Sequence, residues 1–259
     1  MEKDLGMIKL IAAITMIIDH IGAVFFPQYT ILRIIGRIAM PLFAYCIARG
    51  FFYTGNKVKY FVLMSVFAVI SQVPFHYMRL ASRGVELTFE QIPYEAVAAF
   101  TLDARYNIMV TWLLAMIFLL GLERFISWKS DGLLLTSALL VAPILASFYL
   151  SFDFGLYGII LPALFYVTFY GRTVAGGGHK KNVDIRIMDY ISVFLFVAIT
   201  TYVLWVGQST TQFYAVLAVP LIPLTMSIDD KVKLPKLFFY CFYPVHILVL
   251  VTIAWIIRT

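Results

Sequence analysis

The sequence predicts an all-α protein that crosses a membrane several times, and three observations carry that prediction. Of its 259 residues, 62% are hydrophobic and only 13% are charged, whereas a soluble domain is about 45–50% apolar and about 25% charged. The apolar residues gather into runs long enough for membrane-spanning helices of ~20 residues. They are too long, and too uniformly apolar, for the ~10-residue alternating strands of a barrel. Finally, the charges concentrate in alternate connections between those runs.

The runs place nine helices at about 7–26, 31–53, 58–78, 107–122, 132–150, 154–171, 189–206, 212–228 and 237–257. With the N-terminus in the cytoplasm, fourteen of the twenty Lys and Arg residues fall in cytoplasmic segments and four in outer ones. That is the positive-inside bias of a multi-pass protein. An even number of spans would break the alternation, so the reading is one transmembrane domain, 1–259, with its C-terminus outside. The first run has no clear small-x-small cleavage site and leads directly into further spans, so it reads as a retained helix and not a signal peptide. The location expected is a bacterial cytoplasmic (inner) membrane, with lipids as partners. The net charge of +6 sits in alternate loops and forms no nucleic-acid surface. Cys46 and Cys241 lie within apolar runs and read as free thiols. Residues 79–106 form the longest outer segment, either a short amphipathic helix or lid on the outer face, or a structureless connector.

Ionisable residues inside the runs are the next signal. Asp19 and His20 interrupt the first run, where a charge costs roughly 3 kcal/mol on insertion scales. Histidine is the natural proton acceptor near neutral pH, and a carboxylate can orient an imidazole. Adjacent residues on a helix do not face each other, however, so the partner of His20 is sought on Asp19 or on another span. Arg33 and Arg37 are spaced i, i+4 and share one face of the second span, just before Met40-Pro41. Pro41 lacks an N–H, which frees the carbonyl of Arg37. The two arginines suit either an anionic site or an ion pair that fixes packing. Tyr243-Pro244-Val245-His246 puts a second histidine within the last span. Gln72, Asn107 and Asp153 share an outer-side placement, which points to a common acceptor cavity with Tyr243; each alone reads as a cap or turn residue. The cytoplasmic rim holds Lys9, Lys57, Lys59, Arg172, Lys180 and Lys231, candidates for binding an anionic nucleotide or for lipid head-group contact. There is no Walker motif, no GxGxxG, no CxxC, and no HExxH or HxxxH metal spacing.

Several of these stretches together resemble the TraX family. They are Leu10-Ile-Ala-Ala-Ile-Thr-Met-Ile-Ile-Asp-His-Ile-Gly-Ala-Val-Phe-Phe-Pro27, Leu32-Arg-Ile-Ile-Gly-Arg-Ile-Ala-Met-Pro-Leu-Phe-Ala-Tyr45, Arg49-Gly-Phe51 and Ser71-Gln-Val-Pro-Phe75, then Asn107-Ile-Met-Val-Thr111, Asp153-Phe-Gly-Leu-Tyr-Gly158 and Phe238-Phe-Tyr-Cys-Phe-Tyr-Pro-Val-His246. The resemblance runs along nearly the whole chain. The family takes its name from a conjugation protein that acetylates the N-terminus of pilin, and it resembles a wider group of membrane acyltransferases that use acetyl-CoA. In that group a basic residue precedes the first-span histidine by ten intervening positions, as Lys9 precedes His20 here. One departure is the turn before the last span, where Ser227-Ile-Asp-Asp-Lys-Val-Lys233 replaces an Asn-Gly-Lys-Arg-Gly-like sequence.

The resemblance implies a transmembrane acetyltransferase. Acetyl-CoA enters from the cytoplasm, His20 acts as general base or acyl carrier, and Asp19 orients it. Arg33 and Arg37 stabilise developing charge, and His246 contributes a second polar group. The acceptor is an amine or hydroxyl on a pilin-like peptide or a cell-surface glycan. Two other classes remain open on the same residues: a proton-coupled transporter, for which buried Asp, His and Arg are equally suited, and a non-catalytic envelope-assembly protein.

Overall fold

The protein is an all-α bundle, described here from a computed structural model covering residues 5–127, 132–175, 194, 197–198, 202, 210–226, 232–235 and 237–258. Its helices are α1 (Gly6–Val24), α2 (Thr30–Gly36), α3 (Ala39–Tyr53), α4 (Lys57–Ser82), α5 (Ile92–Ala98), α6 (Ile108–Ile126), α7 (Leu133–Tyr149) and α8 (Gly155–Ala175). A 3₁₀ helix η1 (Thr210–Leu217), α9 (Ala218–Met226) and α10 (Phe238–Arg258) follow. Among the described residues, five helical segments are long and apolar enough to cross a membrane: α1, α2–α3 together, α4, α6 and α10. Three shorter apolar helices lie at 133–149, 155–171 and 210–225. Most of the span expected at 189–206 lies outside the described residues.

The span expected at 31–53 is two helices joined by a turn at Arg37–Ile38. The cause is local. Pro41 cannot donate to the carbonyl of Arg37, and its ring crowds the preceding turn. The last span differs: α10 continues through Pro244 from Phe238 to Arg258. The expected span 212–228 opens as η1 and becomes α-helical only at Ala218.

The bundle is held by apolar packing of α1 on α2 and α3, α3 on α8, α6 on α7 and α8, and α10 on α4. An aromatic cluster joins α3 to α8, with Tyr45 edge-on to Phe165 and Phe169, and Phe51 and Phe52 edge-on to Tyr166. Such pairs add about 0.5–1.5 kcal/mol each beyond their buried area. The outer faces of α4 and α7 present bare Val, Ile and Leu, with Val58 and Leu134 74% and 85% exposed. Apolar surface of this extent belongs against lipid.

The segment 79–106 contains one short helix, α5, and is strapped to the bundle. Tyr77 donates to the Ile92 carbonyl (2.7 Å), His76 meets Glu95 (2.8 Å), and the Trp255 indole donates to the Leu87 carbonyl (3.3 Å). The helix exists because Pro93 fits the first turn of a helix without losing a bond.

Candidate functional site

His20 finds its partner 226 residues away. Its Nδ1 lies 2.9 Å from Nε2 of His246. The ring planes are within 4° of parallel and the centroids are 5.1 Å apart, the arrangement of two imidazoles sharing one in-plane hydrogen bond. The other nitrogen of His246, Nδ1, lies 2.7 Å from the Phe242 carbonyl. A carbonyl oxygen only accepts, so His246 Nδ1 carries the proton in that bond. Neutral His246 then presents the lone pair of Nε2 to His20, and His20 Nδ1–H donates to it. The relay leaves the lone pair of His20 on Nε2. This tautomer follows from the hydrogen-bond network. The Phe242 ring lies 4.7 Å from that of His246 and nearly parallel, and Tyr243 meets it edge-on at 5.7 Å.

Asp19 points elsewhere. Successive helical side chains diverge by about 100°, and the carboxylate faces α2. Arg33 approaches Oδ2 at 2.8 Å and also donates to the Asp19 backbone carbonyl at 2.7 Å; Arg37 approaches Oδ1 at 2.6 Å. The expectation that Asp19 orients His20 therefore gives way: the carboxylate holds the arginines, and His246 sets the imidazole. Gly36 permits this geometry, because a Cβ there would lie 2.2 Å from the Asp19 carboxylate. Arg37 extends the network by donating to Gln212 Oε1 (3.2 Å) and to the Arg33 carbonyl (3.2 Å), and its guanidinium lies over the Phe154 ring at 5.7 Å. One carboxylate between two guanidiniums leaves a net positive charge beside the histidine pair.

Gln212 is fully buried and was missed by sequence reasoning. It sits at the start of a predicted span behind Ser209-Thr-Thr, with no local feature linking it to Arg37.

A cavity of about 520 Å³ opens among the α3–α4 connection, Lys9 and Lys59, and runs inward between α1, α3, α4, α6 and α10. Its lining on α3 extends from Tyr53 to Phe43, about 15 Å at 1.5 Å per residue. At the inner end stand Met16, Met109, Trp112 and Tyr243. Met16 precedes His20 by four residues and Tyr243 precedes His246 by three, so the closed end lies within about one helical turn of both histidines. Tyr243 is 4% exposed.

The basic residues separate into groups. Lys9 and Lys59 line the cavity mouth, with Lys9 Nζ 5.4 Å from the Phe239 ring. Lys57 turns aside to an ion pair with Glu123 and lies over the Phe51 ring at 4.6 Å. Arg172 is on α8, and Lys180 and Lys231 lie outside the described residues.

Gln72 and Asn107 come together as a joint between α4 and α6. Gln72 Nε2 donates to the carbonyls of Ala99 (2.9 Å) and Arg105 (3.1 Å). Asn107 donates through Nδ2 to Ala68 O (2.7 Å) and Gln72 Oε1 (2.8 Å), and its Oδ1 accepts from Met109 N (2.9 Å) as the cap of α6. Asp153 pairs with Arg105 at 3.5 Å, and its backbone carbonyl accepts from Thr111 (2.7 Å). Burial raises the Asp153 carboxyl above its ordinary value, opposed chiefly by Arg105 and then by Arg37. None of the three lines the large cavity.

A family model for the TraX protein matches residues 4–254. The chain belongs to the TraX family. A 68-residue stretch is 44% identical to an uncharacterized protein of Rickettsia prowazekii (strain Madrid E), covering 25% of this chain and 27% of that protein. A 78-residue stretch is 36% identical to a probable fimbrial assembly protein, FimC of serogroup H1, from Dichelobacter nodosus, covering 29% of this chain and 32% of that protein. The matched stretches thus span about a third or less of these curated relatives. No solved structure matches the chain.

Proposed function

We propose that this TraX protein is a membrane-embedded acetyltransferase of the bacterial inner membrane, transferring acetyl from cytoplasmic acetyl-CoA to an amine or hydroxyl at the outer side. The observation that carries the reading is a histidine with its Nε2 lone pair free by hydrogen-bond logic, one helical turn beyond the closed end of a cavity whose mouth is basic. The donor suits that cavity chemically. Lys9 and Lys59 supply positive charge for phosphates, and the aromatic and aliphatic wall suits a pantetheine arm.

In the reaction, His20 Nε2 takes the proton from the acceptor amine or hydroxyl as its N or O attacks the thioester carbonyl carbon. The C–S bond breaks, and the proton passes from His20 to the departing thiolate. His246 holds His20 in the competent tautomer and accepts a hydrogen bond from Nδ1–H, which strengthens as the imidazolium forms. The net positive charge of the Asp19–Arg33–Arg37 cluster stabilises the oxyanion of the tetrahedral intermediate. A pilin-like peptide N-terminus or a cell-surface glycan is the acceptor. The fimbrial-assembly name of one relative supports the peptide.

The test is acetyl transfer by purified protein in lipid nanodiscs, followed by mass spectrometry of cell-envelope acceptors. His20→Ala should lower the rate by about 100-fold or more while the protein stays folded. Undiminished transfer in that variant overturns the mechanism.

A further inference from the structure

Among the described residues, the indole Nε1–H of Trp112 is buried without a hydrogen-bond partner. The residue is 6% exposed and contributes to the wall of the large cavity. Lying on α6 five residues beyond Asn107, it belongs to the inner end of the cavity, opposite the mouth marked by Lys9 and Lys59. A buried N–H left unpaired has lost its hydration with nothing in return, and native proteins rarely tolerate one without a reason. Nearby, the buried Ser71 hydroxyl is met by the Met109 sulfur at 3.7 Å. The ring itself is fixed by Phe43, with centroids 5.5 Å apart. Around it, Met16, Met64 and Met109 are unbranched side chains that can yield to an entering group.

We propose that the Trp112 indole N–H binds a carbonyl oxygen of an acyl-pantetheine thioester, which makes it a donor-binding residue at the inner end of the cavity. This rests on the reading of the cavity as the acetyl-CoA site. Indole donates and never accepts, so it selects for an acceptor oxygen, and an acyl-pantetheine carries two kinds: the thioester carbonyl and the amide carbonyls of the arm. A purely hydrocarbon occupant, such as a lipid tail, would leave the N–H unpaired.

The test is binding of acetyl-CoA and of free CoA to the full-length protein in nanodiscs, wild type against Trp112→Phe. Phenylalanine keeps an aromatic ring against Phe43 and removes the donor. Acetyl-CoA affinity should fall by about 10-fold, the worth of one buried hydrogen bond. A fall for acetyl-CoA alone identifies the thioester carbonyl, and an equal fall for CoA identifies an arm amide; both support the proposal. Unchanged affinity for both ligands overturns the role of Trp112 and leaves the donor site standing. Wild-type protein that binds neither ligand overturns the donor reading and this inference together. Should Trp112→Phe fail to fold, wild-type protein labelled with ¹⁵N in its indoles gives the same answer: the Trp112 N–H resonance moves downfield with acetyl-CoA, and an unmoved resonance overturns the proposal.

Discussion

Gln72 and Asn107 are buried at least as deeply as Asp19 and His246, yet the two groups spend their hydrogen bonds differently. Gln72 and Asn107 bond to backbone carbonyls, two backbone N–H groups and each other, using uncharged amides with donors and acceptors filled. The outcome is a rigid joint between α4, α6 and the outer segment. His20, His246, Asp19, Arg33 and Arg37 add to their backbone bonds a set of side-chain pairs joining α1 to α10 and to the end of α2, using groups that move protons or carry charge. Buried amides satisfied by backbone need nothing more than shape. Buried ionisable groups carry a desolvation cost that only their mutual geometry offsets. The lesson is that depth alone does not identify a site; the chemistry of the partners does.

That contrast can be broken at either layer. Asp19→Ala removes the shared partner of two guanidiniums and should have the largest effect on folding, about 3 kcal/mol, at the low end for a buried pair because the Arg33 side chain is 32% exposed. The loss would appear as a lowered thermal midpoint in detergent together with lost acetyl transfer. A variant as stable as wild type would show that the arginines find other partners. Asn107→Ala should cost less, about 1–3 kcal/mol, by removing the α6 cap and leaving Gln72 Oε1 with only the Asn107 backbone N–H of its two donors. Its KM for acetyl-CoA should stay unchanged, and a raised KM would mean that the joint reaches the donor site.

The smallest effect concerns Asp153. Its folded-state pKa is raised, chiefly by burial, so the folded protein binds this proton more tightly than the unfolded chain. Its contribution to stability is greatest at low pH and is lost as pH rises from the ordinary carboxylate value through the raised one. Asp153→Asn should flatten that part of a plot of thermal midpoint against pH. An unaltered slope would show that Arg105 and Arg37 cancel the effect of burial at this position.

Much of the fold was legible because the signals are local. Long apolar runs mark helices such as α1, α4, α6 and α10, and Asn107 before an apolar run marks the start of α6. Pro41 pointed to a disturbance at Arg37, though a single helix over 31–53 was expected and a turn is found. Opposite effects of similar residues were less legible: Pro244 is accommodated in α10, while Pro41 accompanies a break. In the candidate site, the identities of His20, Asp19, Arg33, Arg37 and His246 could be picked out because polar residues stand out in apolar runs. Trp112 could not, because an indole in an apolar run looks like any core aromatic until its N–H is found without a partner. Likewise, Lys57 and Lys59 look equivalent in sequence, and only the position of Glu123 separates a structural ion pair from the cavity mouth.

By itself the sequence determined that this is a membrane-spanning helical protein, where most of its helices run, which ionisable residues they carry inward, and which family it resembles. Hydrophobicity and periodicity act over a few turns, so these properties are written locally. Only the tertiary structure decided that His20 meets His246 and not Asp19, that Arg37 meets Gln212 across 175 residues, and that the cavity ends near both histidines. Those pairings arise because buried polar groups take whichever partner packing brings within hydrogen-bond distance, and sequence distance has no part in that choice.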